Sequence, residues 1–277
     1  MDWIAPALTS GLGNRLFQYA AARGLAERLG RPVVFLMKKC KESPHGPIAS
    51  LFRMYPGVQL IESEEPFTEL MERPMQHYNY SDILSPQGPI VIHGYRQSPK
   101  YFPKDLSLLQ PDWDSALGGA AVRRLIEKEA MLSTPELRKR TISVHMRMGD
   151  YLVLPHHQID LGKYLMKALE RLPPNSRIHF FSDEPDKCGL YVRSYAASRR
   201  LDFTIALVRS DVESLYEMSL CQGGNITANS TFSWWGAWFA HQAGSPWATY
   251  PSSFGRGMPP PQDLFPEWGT VIPVHSG

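Results

Sequence analysis

Apolar and polar positions along the chain fall into short buried runs that alternate with stretches of helical spacing. Trp3-Ile4-Ala5-Pro6-Ala7-Leu8 reads as a short strand, with Pro6 its weak point. Beyond it, Leu16, Tyr19, Ala20, Ala22, Ala26 and Leu29 recur at roughly helical spacing; Gly24 weakens that helix and Gly30 supplies its stop. Pro32-Val33-Val34-Phe35-Leu36 is a second buried strand. Strand, loop, helix and strand in that order suggest a parallel sheet with helices on its faces.

Residues 38–88 are interrupted by Pro44, Pro47, Pro56, Pro66, Pro74 and Pro86 and read as an irregular insertion with short helices. Strand character resumes at Pro89–His93, and one helix is expected over Ser115–Met131, with Val122, Leu125, Ile126 and Glu129 on a mixed face. The second half is more regular. Strands are expected at Thr141–Met146, Arg177–Ser182, Phe203–Val208, Asn225–Ala228 and Trp247–Tyr250. Helices are expected at Leu161–Leu172, Asp186–Ser198, Val212–Cys221 and Phe232–Gln242. That alternation is a doubly wound α/β pattern. A boundary near Ser133-Thr134-Pro135 would give domains of residues 1–135 and 136–277, and the Pro- and Gly-rich tail after Pro251 reads as ordered loop. No internal repeat is present.

Composition narrows the function classes. A formal charge of +2 on 277 residues is too balanced for a dedicated nucleic-acid binder. Cys40, Cys188 and Cys221 are widely spaced, with no CxxC pair and no zinc-type spacing, so no structural metal is expected and a reducing compartment is. The segment Asp2–Leu8 is too short and too acidic at its start for a signal peptide, and no run reaches the roughly 20 apolar residues of a membrane span. A cytoplasmic location is the expectation. The sequons at Asn79, Asn225 and Asn229 are then expected to occur by chance.

Five segments can carry chemistry. His145-Met146-Arg147-Met148-Gly149-Asp150-Tyr151 begins where a strand ends; Arg147 offers a rigid fork of donors for phosphate oxygens, and Asp150 can hold that fork. A surface ion pair at a strand end has the same sequence. Gly11-Leu12-Gly13-Asn14-Arg15 precedes a helix, where backbone amides suit an anion or a sugar, or where the turn serves tight packing alone. As a dinucleotide fingerprint it fails. Leu16 stands where the third glycine belongs, and Lys38 and Lys39 stand where an acid would hold the ribose, which disfavours an oxidoreductase. Phe180-Phe181-Ser182-Asp183-Glu184-Pro185 puts a carboxylate at a strand end, where it can read guanine or ribose or cap the next helix. Asn229, Ser230, Thr231 and Ser233 cluster at a helix start suited to phosphate or to ordinary capping, followed by Trp234, Trp235 and Trp238 as helix core. His93-Gly94-Tyr95-Arg96-Gln97-Ser98-Pro99-Lys100-Tyr101-Phe102 mixes aromatic and polar groups suited to sugars or to a packed loop. His156 and His157 are expected to face different ways and not to form a joint metal site.

In this order the motifs resemble the α-1,2-fucosyltransferase family of inverting glycosyltransferases. They are Gly11–Ala20, Gly94–Phe102, His145–Tyr151, Phe181–Asp183 and Ala228–Trp238, and together they span most of the chain. The resemblance implies a GT-B-like α/β fold, two Rossmann-like lobes facing across a cleft. Residues 1–135 would be the acceptor side and 136–277 the donor-nucleotide side. It further implies GDP-fucose as donor, a galactoside or related glycan as acceptor through O2, no cofactor and no metal. The family often has a second Arg where Met148 stands, Gln at Arg15, an aromatic at Arg96 and an acid at Pro99.

On that basis Arg147, oriented by Asp150, would neutralise the departing diphosphate. His145, Ser182, Asp183, Asn229, Ser230, Thr231 and Ser233 would hold the donor. Gly11, Gly13, Asn14, Arg15, Tyr95 and Gln97 would face fucose and acceptor. Closure of the cleft would exclude water. Asp150 is a candidate base, but pairing with Arg147 would weaken it in that role. The alternatives are another nucleotide-sugar transferase on the same scaffold and a non-catalytic sugar- or nucleotide-binding module.

Overall fold

The computed structural model describes residues 2–72, 87–199, 202–255 and 263–274. By contacts the chain divides into two units: Met1–Gly119 with Gln262–Pro266, and Ala120–Pro261 with Glu267–Gly277. The division falls after Gly119. The proline signal at Ser133–Pro135 instead marks the start of a short helix that belongs to the second unit.

The first unit is built on short parallel strands: β1 (Ile4–Pro6), β2 (Val34–Leu36), β3 (Gln59–Ile61), β4 (Thr68–Leu70) and β5 (Ile90–Ile92). The order β1-β5-β4 forms one sheet and β2-β3 a second, and the parallel bridges Ile4–Val33 and Leu8–Cys40 join β1 to β2 and to the turn beyond it. The insertion therefore holds strands as well as the helix α2 (Ala49–Met54), which corrects the expectation of helices alone. β3 and β4 are three residues each and half-exposed, too short for any period to show. Pro74 and Pro86 of the insertion lie outside the described residues.

Helix α1 (Leu12–Leu29) is buried over most of its surface. It begins at Gly11, so Gly13, Asn14 and Arg15 lie in its first turn and not in a loop. Gly30 ends it in the left-handed conformation, as its sequence position predicts. Gly24 has a packing reason: a Cβ there would stand 1.9 Å from the Tyr101 carbonyl oxygen. The single helix expected over Ser115–Met131 is two, α3 (Trp113–Leu117) and α4 (Ala120–Glu129). Gly118 and Gly119 break it with φ of 82° and 124°, a conformation that no helix continues through.

The second unit contains α4, α5 (Pro135–Arg140) and a six-stranded parallel sheet. Its strands are β6 (Thr141–Met146), β7 (Arg177–Ser182), β8 (Asp202–Ile205), β9 (Gly224–Ile226), β10 (Ala248–Pro251) and β11 (Gly269–Ile272). Between them run α6 (Leu161–Leu169), α7 (Pro185–Arg199), α8 (Asp211–Ser219) and α9 (Thr231–Gln242). β11 corrects the reading of the tail as loop; it is a half-exposed edge strand beside β10. The spatial order is β11-β10-β9-β6-β7-β8. The chain winds outward from β6 to β8, then returns beside β6 and winds the other way. The carboxyl ends of β6 and β9 therefore flank the switch point, where open α/β sheets bind ligands. β6 is buried at every position, as a strand covered on both faces must be.

Candidate active site

The segment after β6 places Arg147 at the switch point. Its Nε donates to Asp150 Oδ1 at 3.0 Å, and Nη2 lies 2.8 Å from the same oxygen. Nε is also 3.2 Å from Asp183 Oδ2, at the end of β7. The guanidinium lies over the Tyr151 ring, 5.4 Å from its centroid, and that ring stacks on His157 at 4.5 Å. Among the described residues Nη1 makes no hydrogen bond or ion pair, so one edge of the fork is available for an anion. The side chain is 29% exposed, enough to reach a ligand and little enough to be held.

Asp183 is committed to protein groups. It accepts from the Met148 amide at 2.8 Å and the Gly149 amide at 3.0 Å. His145, at the end of β6, is buried; its Nδ1 has no hydrogen-bond partner and its ring lies against Phe232. Burial pushes its pKa from 6.5 down to about 4, with Asp183 opposing and Arg147 adding to the fall, so the imidazole is neutral near pH 7.

From the other side of the switch point comes the start of α9. Ser230 caps it, its Oγ accepting from the Phe232 amide, and Thr231 opens the helix half-exposed. Three expected donor-site residues instead hold the frame. Asn229 is buried and donates to the carbonyls of His157 and Phe254, tying two strand-end loops together. Ser233 accepts from the Ala228 amide and donates to the Ser230 carbonyl. Ser182 donates to the Met146 carbonyl and accepts from the Glu184 amide. Of the sequons, Asn225 and Asn229 are buried and Asn79 lies outside the described residues.

In the first unit, Asn14 and Gln97 meet: Gln97 Nε2 donates to Asn14 Oδ1 at 2.8 Å, and Asn14 Nδ2 donates to Ser10 Oγ. Gly11 faces His45 closely, and Tyr95 is exposed beyond Gly94. Glu72 accepts from the amides of Tyr95 and Arg96 and shapes that turn. Arg15 does not face a ligand surface. It is fully buried and donates to the carbonyls of Gly46 and Lys41. Arg96, likewise buried, donates to the carbonyls of His93 and Leu70. Met148 packs into the core of the second unit. These three departures from the family pattern thus serve packing.

Sequence reasoning missed the Tyr151–His157 stack, made between two successive 3-10 turns of one segment, and the hold of Asp183 on the Gly149 loop, which joins positions 34 residues apart. It expected His156 and His157 to face apart, but their ring centroids are 4.3 Å apart within the 3-10 turn Pro155–His157. Among the described residues no group of three His, Cys, Asp or Glu is placed to hold a metal ion, and no helix is long and apolar enough to cross a membrane.

Comparison with known proteins shows the family. The model of the family described as Glycosyl transferase family 11 matches residues 91–253, more than half of the chain. An Escherichia coli protein named alpha-1,2-colitosyltransferase is 26% identical over 266 residues, covering 86% of this chain and 88% of its own. The Escherichia coli O-antigen biosynthesis glycosyltransferase WbnK is 32% identical over 107 residues, 35% of this chain and 34% of its own. Among solved structures, the fucosyltransferase NodZ from Bradyrhizobium aligns over 85% of this chain and 92% of its own, with 15% identity and a TM-score of 0.49. POFUT1 in complex with GDP aligns over 88% and 96%, with 13% identity and a TM-score of 0.42. The chain belongs to glycosyl transferase family 11, the α-1,2-fucosyltransferase family.

Proposed function

We propose that this glycosyltransferase moves fucose from GDP-fucose to a galactoside O2, with inversion and without a metal ion. One observation carries the proposal: Arg147 stands at the switch point of the second unit, held by Asp150, after β6 and next to β9, the strand that leads into α9. When the bond from fucose to the β-phosphate breaks, negative charge gathers on that phosphate. A fixed guanidinium and the amides of a helix N-terminus stabilise it without reorganisation. His145, neutral and with an unsatisfied Nδ1, lines the same side, with Ser230 and Thr231 at the phosphate.

Asn14, Gln97 and Tyr95 are assigned to the sugars. The amide pair offers donors and acceptors to hydroxyls, and the exposed ring offers a stacking face. The two parallel α/β units are what a GT-B-like transferase is built from. The incoming hydroxyl oxygen bonds the anomeric carbon opposite the diphosphate as the bond from that carbon to the β-phosphate oxygen breaks; GDP leaves with the bonding pair, and the hydroxyl proton, acidified as the new bond forms, passes to solvent or to a nearby carboxylate. Asp150 is a weak candidate for that proton because its Oδ1 is held by Arg147.

The relative named alpha-1,2-colitosyltransferase favours a second reading, in which the transferred sugar is not fucose. Thermal stabilisation by GDP, UDP, GDP-fucose, GDP-mannose and NAD, followed by product mass with each donor, separates the two. Stabilisation by GDP and GDP-fucose with a product heavier by one fucose is expected. Binding of GDP without turnover on any acceptor would leave a non-catalytic module. Activity lost in EDTA and restored by a divalent ion would contradict the metal-free mechanism.

A further inference from the structure

The Asp183 carboxylate faces the loop of the neighbouring strand. Oδ1 accepts from the Met148 amide and Oδ2 from the Gly149 amide, with Arg147 Nε 3.2 Å from Oδ2. The approach is so close that a Cβ on Gly149 would stand 2.6 Å from Oδ2. Gly149 has φ of −48° and ψ of −100°, and a Cβ there would push the end of the Asp183 carboxylate aside. Met148, the next anchor of this loop, is buried in the core. A carboxylate offers roughly four acceptor positions, and here most are already taken by two amides and a guanidinium.

We infer that Asp183 is a positioning residue: it pins the backbone at Met148 and Gly149 and so fixes where the Arg147 guanidinium stands, instead of reading the base of the nucleotide. The inference rests on the proposed role of Arg147 at the departing diphosphate. It differs from base reading in what it makes Asp183 answer to. A base reader governs guanosine affinity and the preference for GDP over UDP. A positioning residue governs the phosphate-dependent part of binding and kcat, and acts only through Arg147.

The test measures guanosine, GDP and UDP affinity by calorimetry, with GDP-fucose transfer kinetics and thermal midpoints. The proteins are wild type, Asp183→Asn, Asp183→Ala, Gly149→Ala, Arg147→Ala and the Asp183→Ala/Arg147→Ala double variant. The expected result is unchanged guanosine affinity in both Asp183 variants, with kcat/KM down on the order of 10²-fold, the scale for misplacing a reacting group by about 1 Å. Gly149→Ala, which retains the carboxylate but pushes it out of position, reproduces that loss and keeps the inference testable if Asp183→Ala does not fold. The double variant is no slower than Arg147→Ala alone. Weakened guanosine binding, a relaxed preference for GDP over UDP, additive losses, or Gly149→Ala with wild-type kinetics would each overturn the inference while leaving the donor reading standing. Wild type without GDP affinity, or Arg147→Ala with wild-type kinetics, would instead overturn the donor reading, and the inference with it.

Discussion

Arg147 and Asp150 meet at one oxygen: Nε is 3.0 Å and Nη2 2.8 Å from Asp150 Oδ1. A guanidinium gripped along that edge keeps the other edge in a fixed place. The pair is only partly buried, so its worth lies in orientation and not in stability. Arg147→Ala is expected to fold normally and to lose about 2.7–4 kcal/mol of transition-state stabilisation, the scale for one oxyanion donor. Arg147→Lys restores charge but not the fork, and is expected to recover only part of the rate. Steady-state kinetics with GDP-fucose check both.

Asp150→Asn separates orientation from base catalysis. If Asp150 holds Arg147, the variant loses about 10- to 100-fold in kcat/KM, matching a charged hydrogen bond of about 1.5–3 kcal/mol. That loss should vanish in an Arg147→Ala background. A deficit larger than that of Arg147→Ala, with a changed pH profile, would make Asp150 the acceptor of the hydroxyl proton.

His145 sets a pH dependence on folding. Unfolded, an imidazole takes up its proton near pH 6.5; in the folded protein burial holds it off until about 4. Between those values the unfolded chain binds more protons. The contribution of His145 is therefore fully present above about pH 6.5 and is lost as pH falls toward 4, by about 3 kcal/mol for a group this buried. His145→Gln should flatten that part of the profile. Denaturant midpoints at pH 4.5 and 7.5 for the two proteins measure it.

Much of this architecture was readable in the sequence because long parallel strands leave a strong signal. Thr141–Met146 and Arg177–Ser182 match their predicted bounds, since both are apolar runs that end in chemistry-bearing residues. β3, β4 and β11 were not readable: they are three or four residues long, half-exposed, and owe their existence to the neighbour they pair with. At the site, Arg147 and Asp150 are three apart and one turn joins them, so sequence suffices. Arg15 is the counterexample. Beside a Gly-rich turn it looks like a ligand group, yet the carbonyls of Gly46 and Lys41, far along the chain, claim it.

Gly24 offers a stability test in the first unit. Alanine is the better helix former by about 0.8–1 kcal/mol. Yet its Cβ would stand 1.9 Å from the Tyr101 carbonyl oxygen and 2.9 Å from the Phe102 carbonyl carbon, both backbone atoms. Forcing them apart costs roughly 1–3 kcal/mol, so Gly24→Ala should lower the thermal midpoint despite its propensity. A raised midpoint would mean that α1 can shift freely against this segment.

A crystal structure with GDP bound is the most direct measurement. Arg147 should keep its contact with Asp150 and place Nη1 within about 2.7–2.9 Å of a β-phosphate oxygen, the range of a charge-assisted hydrogen bond. A complex in which that side chain points into bulk solvent while the diphosphate is held elsewhere would contradict it.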